Sequence, residues 1–226
     1  MNNYRYENKY IIDLYSAELL KRQLKSLMKM DEHSISDDVS YEIRSLYYDD
    51  DNDTAYFDKI NGIEFRRKYR LRMYNNDFHT IKLECKFKDE NMTKKEYCEI
   101  SSKNAKLLVK EEYDRIHIYN DFYKKFINDV KYMGLKPRVI VDYSRLALCY
   151  PASDVRITFD SKLKSSNAIS SYFDDSILRT DCFDENQVVL EVKYNDFLPD
   201  IIQTILNQYN LRSIAISKFS TCVDYL

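Results

Sequence analysis

Glycine is almost missing from this chain, with two in 226 residues, and proline is nearly as rare at three. Gly62 and Gly134 lie far apart, so neither a Walker-type phosphate loop nor a GxGxxG turn can form, and any bound phosphate must be held by side chains. The same scarcity leaves no flexible linker, and the length suits a single domain spanning 1–226. The five cysteines (Cys85, Cys98, Cys149, Cys182, Cys222) are odd in number, scattered and never in a CxxC pair. That excludes a disulfide framework and a structural zinc site and points to a reducing cytoplasm. His33, His79 and His117 have no metal-ligand spacing and no cysteine partner, which leaves little for nucleophilic catalysis. No apolar window approaches about 18 residues, and the N-terminal stretch lacks an uninterrupted apolar run, so neither a membrane span nor a signal peptide is expected. An excess of one charge is absent too, with 35 basic residues against 37 acidic, which argues against a protein that coats duplex nucleic acid by bulk charge. A polyanion site must come from segregating charge.

The sequence does segregate it. In "GIEFRRKYRLRMY" (62–74) strand alternation puts Glu64, Arg66, Lys68, Arg70 and Arg72 on one face and Phe65, Tyr69, Leu71 and Met73 on the other. Same-face neighbours sit roughly 7 Å apart and at an effective dielectric near 20 repel by about 2 kcal/mol each, unless water or an anion intervenes. "TIKLECKFK" (80–88) sets Ile81, Leu83, Cys85 and Phe87 against Lys82, Glu84, Lys86 and Lys88; "DVRITFD" (154–160) and "VVLEVKY" (188–194) repeat the polarity, with Arg156 in one and Glu191 and Lys193 in the other. Further strands are expected at 5–12, 40–49, 92–100 and 138–149, eight in all. In the last of these Arg138 and Arg145 have opposite parity, so a bulge re-aims one or only one faces the charged side. Helices are expected after Ser16 as cap, over 116–133, and in "LPDIIQTILNQYN"; the acidic run 49–58 reads as a solvated turn and helix start.

Either the charged faces are the wet side of an open sheet, or the strands close into an antiparallel barrel with helices outside and the charged faces lining a channel. Arginine-rich faces favour the channel. The cations on that side, among them Arg5, Lys9, Arg66, Lys68, Arg70, Arg72, Lys82, Lys86, Lys94, Arg138, Arg145, Arg156, Lys193 and Lys218, outnumber acids such as Glu7, Glu64, Glu84, Glu96, Asp142, Asp160 and Glu191. Enclosed like charge is ruinous without anions, so the channel implies a polyphosphorylated ligand.

"RYENKY", "SLYYDD", "GIEFRRKYRLRMY", "LECKFK", "VDYSRLAL" with "DVRITFD", "LEVKY" and "ISKFS" stand in the order and approximate spacing of the VTC domain. The chain resembles this polyphosphate polymerase branch of the triphosphate tunnel metalloenzymes, a superfamily that also includes the CYTH proteins, from about residue 4 to 222. The resemblance implies an α+β fold built on an eight-stranded antiparallel β-barrel, the triphosphate tunnel, with helices packed outside. It implies transfer of the γ-phosphoryl of ATP to a growing polyphosphate chain, with Mn²⁺ or Mg²⁺ as cofactor. By position, the phosphate ligands are Lys9, Arg70, Arg72, Lys86, Lys94, Arg145, Arg156 and Lys218, and further substrate contacts come from Arg66, Lys68, Lys82, Arg138 and Lys193. Glu191 resembles the metal carboxylate, with Glu84 and Glu7 as assistants. Lys94 is taken over its neighbour Lys95 on spacing.

The chemistry is sound without the family. Arginine forks suit phosphate oxygens, lysine supplies a point charge that follows a moving phosphoryl group, and phosphoryl transfer needs positioning and charge neutralisation above all. Two departures stand out: the E-x-E-x-K signature of many tunnel enzymes reads Arg5-x-Glu7-x-Lys9 here, and Ala215 replaces a lysine frequent three positions before the one matching Lys218. A triphosphate hydrolase and a non-catalytic polyphosphate or nucleotide receptor stay open as alternatives.

Overall fold

A computed structural model of the chain describes residues 6–34, 39–89, 92–117 and 120–226; Arg5 and Tyr119 lie outside them. The strands are β1 (Tyr6–Asp13), β2 (Lys29–Met30), β3 (Tyr41–Asp49), β4 (Arg66–Tyr74), β5 (Ile81–Asp89), β6 (Met92–Ile100), β7 (Lys136–Cys149), β8 (Arg156–Ser166), β9 (Thr180–Asp181) and β10 (Gln187–Tyr194). The α-helices are α1 (Leu14–Lys25), α2 (Thr54–Ile60), α3 (Ser102–Val109), α4 (Asp121–Met133), α5 (Asp200–Leu206) and α6 (Lys218–Asp224). Hydrogen bonding orders the sheet β1-β10-β8-β7-β3-β4-β5-β6, with the two-residue strands β2 and β9 attached to β7 and β8. All eight strands expected from alternation are present, in an α+β fold with a large antiparallel sheet. Closure is the part that differs. Among the described residues β1 and β6 are the ends of the path and no ladder joins them, so the sheet is open where a barrel was expected. β6 carries Lys94, Lys95 and an exposed Tyr97, the charged dress of a strand at a sheet edge.

Contacts gather into two compact units. The first comprises Met1–Glu42, Tyr143–Leu163 and Asp181–Ile216. Its core is the apolar side of the alternation: Ile157 and Phe159 of β8 and Val188, Leu190 and Val192 of β10 meet Ala17, Leu20 and Leu24 of α1 and Ile202 and Leu206 of α5. Each such leucine or isoleucine contributes about 1.5–3 kcal/mol on burial. Helix α1 begins three residues earlier than expected, because Asp13 and not Ser16 is its cap. The Asp13 carboxylate accepts from the Ser16 N–H at 2.8 Å and from its hydroxyl at 2.7 Å, so Ser16 is the third helical residue of a helix that an aspartate starts.

The second unit comprises Ile43–Asp142, Lys164–Thr180 and Ser217–Leu226. Tyr69, Leu71 and Met73 of β4 and Ile81, Leu83 and Cys85 of β5 pack on Tyr123, Phe126, Ile127 and Val130 of α4 and Ala105 and Leu108 of α3. Phe65, expected on this apolar face, precedes β4 and is largely exposed. Helix α4 starts at Asn120, whose side chain accepts from the Tyr123 N–H at 2.8 Å, and stops at Gly134 with φ +68°, a left-handed residue that only glycine adopts cheaply. Ile116, expected within that helix, lies before it. The acidic run does start a helix: the Asp49 carboxylate accepts from the N–H groups of Asp50, Ala55 and Tyr56 at the head of α2. Among the described residues no helix is long and apolar enough to cross a membrane.

Candidate functional site

Each unit carries one charged sheet face, and the two differ in balance. In the second unit the register sets Tyr47, Arg70, Glu84 and Tyr97 side by side across β3, β4, β5 and β6, with Ser45, Arg72 and Lys82 in the row on one side and Lys68, Lys86 and Lys95 on the other. Glu84 is the hub. Arg70 places its Nε 2.7 Å and its Nη2 2.6 Å from Glu84 Oε2, Arg72 Nη1 lies 3.9 Å from the same oxygen, and Lys95 Nζ is 2.6 Å from Oε1. Burial alone would push the Glu84 carboxyl up, but Arg70, Arg72 and Lys95 outweigh it and hold it well below the carboxylate range. Burial and the two guanidiniums in turn outweigh Glu84 at Lys95, bringing its ammonium down to about 8.

The remaining cations cluster around Tyr47. Arg70 Nη1 donates to the Tyr47 hydroxyl at 2.9 Å, and the ring packs on Phe219 of α6 at 5.1 Å. Burial raises this phenol's pKa, yet Arg70, Arg72 and Lys218 together bring it below its ordinary value. Lys68 Nζ donates to the Ser217 hydroxyl at 3.2 Å and sits 5.3 Å over Phe219, while Lys82 lies between the Tyr74 and Tyr97 rings. Lys68, Arg70, Arg72, Lys86, Lys95 and Lys218 thus gather with one buried carboxylate among them. This surplus is the physical basis for binding a polyanion.

Several expectations change here. Lys94 stands opposite Phe87, with its side chain 74% exposed and paired to Glu96 at 2.6 Å. Lys95 takes its place on the cationic face because the β5–β6 hairpin pairs Asp89 with Met92, which puts Lys95 across from Lys86. Counting back from that pairing gives the side each lysine takes. Arg138 stands apart, its guanidinium held by Asp53 at 2.6 and 3.1 Å. Arg66 faces Lys88 at the start of β4 and donates to the Ile63 carbonyl. Glu84, expected to assist a metal, is paired with Arg70, Arg72 and Lys95. Tyr47 and Ser217 were not anticipated; their contacts depend on α6 packing, which strand alternation does not encode.

In the first unit cations and carboxylates alternate across strands. Lys9 stands opposite Glu191 and then Thr158, and Glu7 opposite Lys193 and then Arg156. Lys9 Nζ is 3.0 Å from Glu7 and 3.8 Å from Glu191; Lys193 Nζ is 3.3 Å from Glu191 and 3.8 Å from Glu7. Burial and the adjacent Glu191 charge raise the Glu7 pKa, and Lys193 and Lys9 overcome them to leave it lowered. Arg145 makes a two-pronged bridge to Asp160, 2.6 Å at both prongs, and its Nη2 is 3.9 Å from Glu191. Arg156 reaches Asp31 at 2.5 Å and the Tyr41 hydroxyl at 3.2 Å. Lys9, Lys193, Arg145 and Arg156 are therefore balanced by Glu7, Glu191, Asp160 and Asp31. The guanidinium forks of Arg145 and Arg156, read from the sequence as phosphate ligands, grip protein carboxylates; Asp31 and Tyr41 come from outside the alternating strands that drew attention to the arginines.

Among the described residues no group of three or more His, Cys, Asp and Glu forms a metal site. What the first unit offers is Glu7 beside Glu191 and, on the neighbouring strand, a fully buried Thr158 hydroxyl with no hydrogen-bond partner. Oxygen donors of this kind, one or two carboxylates and a hydroxyl, fit a hard divalent cation that takes its remaining ligands from phosphate and water. A cavity of about 640 Å³ in the same unit, lined by Asn8, Tyr10, Tyr194, Gln203 and Tyr209 among others, opens on the reverse side of β1 and β10. It has no charged lining residue and is not where the cations meet.

No curated protein matches this chain. Among solved structures the chain is similar to the "putative adenylate cyclase" of Bacillus halodurans, with a TM-score of 0.60 at 14% identity, covering 95% of this chain and 94% of that one. A second protein of that description, from Vibrio parahaemolyticus, gives a TM-score of 0.54 at 11% identity over 98% of both chains. The PH1012 protein of Pyrococcus horikoshii gives 0.51 at 12% identity over 96% of this chain and 98% of that one. At these identities the likeness is one of fold. The VTC domain model matches residues 4–226, nearly the whole length, and the chain belongs to the VTC domain family.

Proposed function

We propose that this protein is a metal-dependent phosphotransferase that extends polyphosphate with the γ-phosphoryl of ATP. The observation that carries the reading is the cationic face of β4, β5 and β6, where Glu84 is the one carboxylate held among Arg70, Arg72 and Lys95, with Lys68, Lys86 and Lys218 alongside. Paired arginines hold phosphate oxygens by their forks, and the lysines neutralise charge that spreads over the equatorial and leaving oxygens during transfer. Lys82 extends this face. In the first unit, Lys9, Lys193, Arg145 and Arg156 are further phosphate contacts through the donors their carboxylates do not take.

Glu191, with Glu7 beside it, is the proposed holder of Mn²⁺ or Mg²⁺, an ion that when bound neutralises phosphate charge and orients the transferring group. Within the protein, Lys193 and Lys9 lie beside both carboxylates and favour the ionised form of Glu7. Closure of the eight strands into the family's tunnel, and action of 1–226 as one domain, belong to the same proposal and rest on the family. Free thiols at all five cysteines support a cytoplasmic setting.

The test is incubation of the purified protein with ATP and Mn²⁺, with chain length, free phosphate, pyrophosphate and cyclic nucleotide measured separately. Chain growth supports the reading. Free phosphate without chains makes the protein a triphosphatase, pyrophosphate with a cyclic product makes it a cyclase like the names its structural neighbours carry, and tight salt-sensitive binding without any product makes it a receptor.

A further inference from the structure

Thr158 sits in the middle of the first unit's charged face and is the residue there whose chemistry is unspent. Its strand neighbours Ile157 and Phe159 enter the apolar core, so alternation sends Thr158 to the opposite side, together with Arg156 and Asp160. Arg156 is engaged by Asp31 and Tyr41, and Asp160 by both prongs of Arg145. Thr158 is fully buried, and its hydroxyl meets no hydrogen-bond partner among the described residues. Across the ladder its register partner is Glu191, which in turn faces Lys9.

A buried hydroxyl without a partner is destabilising, and valine would fill the same β-branched space at no such cost. Threonine at this position is explained if something fills the gap that a valine could not serve. We propose that the Thr158 hydroxyl is an oxygen ligand of the divalent cation held by Glu191, an inference that rests on the metal assigned to Glu191 above. The class of ligand follows from the donors. A hard cation takes oxygen, and a neutral hydroxyl adds a ligand beside Glu191 without bringing a further negative charge, the role that serine or threonine plays toward Mg²⁺ in phosphate-binding loops. A polyphosphate oxygen is the poorer candidate, because Thr158 faces a carboxylate across the ladder.

The test is equilibrium dialysis of the full chain against Mn²⁺ and the non-hydrolysable β,γ-imido analogue of ATP, with manganese and nucleotide on the protein side measured independently for wild type, Thr158→Val and Thr158→Ser. Thr158→Val is expected to weaken manganese retention by about tenfold or more while keeping nucleotide, with a melting temperature unchanged or raised; Thr158→Ser keeps both. Equal manganese retention by wild type and Thr158→Val overturns the proposal and assigns the gap to an ordinary buried water. Loss of nucleotide together with manganese in a variant that melts normally also overturns it, since the hydroxyl would then serve phosphate. Wild type that retains nucleotide but no manganese sinks the metal at Glu191 as well, which separates failure of the reading from failure of this inference.

Discussion

Arg70 and Glu84 face each other across β4 and β5 with two guanidinium nitrogens, 2.7 and 2.6 Å away, converging on a single carboxylate oxygen at a position almost closed to solvent. The second oxygen of that carboxylate belongs to Lys95. Glu84 therefore tempers the arginines of a cationic face from its middle, and a polyanion has to compete with it for them.

Replacing Glu84 by Gln should lower stability and raise polyanion affinity together. Removing one partner of a buried ion pair costs about 3–5 kcal/mol, and the cations it releases attract tripolyphosphate more strongly at low salt. Glu84 has a folded pKa below its ordinary 4.5, so its stabilisation is present above that value and is lost as pH falls below it. Urea unfolding between pH 3 and 7, compared with tripolyphosphate titrations in rising salt, checks both. An acid limb as steep in the variant as in wild type would count against Glu84 as the hub.

Lys95 supplies the opposite pH signature. Its ammonium titrates near 8 against an ordinary 10.5, so the unfolded chain binds more protons in between, and this group makes stability rise with pH across that window. Polyphosphate affinity should fall across the same rise as the ammonium discharges. Lys95→Met is expected to weaken binding at pH 7 by about tenfold and to flatten the alkaline decline, whereas Lys94→Met, on the opposite face, leaves both unchanged. Isothermal titrations from pH 6.5 to 9.5 on the two variants decide it.

The Arg145 and Asp160 bridge is buried on both sides. Asp160→Asn, which leaves a buried guanidinium half-paired, should cost about 3–5 kcal/mol, and a double change of Arg145→Met with Asp160→Leu should recover most of that loss. Chemical denaturation of Arg145→Met, Asp160→Leu and the double variant closes the cycle, with Asp160→Asn measured beside them. A single-variant cost below about 1 kcal/mol would mean the bridge is loose enough for Arg145 to leave its carboxylate for phosphate.

Glu191→Gln should cut turnover by about 100-fold or more, as expected for loss of a carboxylate metal ligand, and leave polyanion binding intact or tighter. Steady-state rates with Mn²⁺ beside tripolyphosphate affinity measured without metal separate the two effects. Survival of full activity would remove Glu191 from the site.

Much of this is legible along the chain. Period-two alternation locates eight strands and separates apolar from charged faces, because a pleated strand with one buried side has only one sequence pattern available to it. Glycine poverty excludes backbone phosphate loops on composition alone. Spacing cannot separate Lys94 from Lys95, because adjacent lysines are equivalent in composition and only the hairpin register tells which side each takes. Asp13 and Ser16 are both good caps three residues apart, and in the fold the Asp13 carboxylate accepts from the Ser16 N–H, so α1 begins at Leu14.

By itself the sequence determined that cations lie on one side of several strands and that a polyanion is the ligand class such a side accepts, since charge and alternation are local properties. Which cations remain in surplus was decided by tertiary structure alone. Asp31, Asp160 and Asp53 reach Arg156, Arg145 and Arg138 across 125, 15 and 85 residues of chain, while Arg70, Arg72 and Lys95 share the single charge of Glu84. Pairing energy depends on distance in space and on burial, and neither is written in the order of residues.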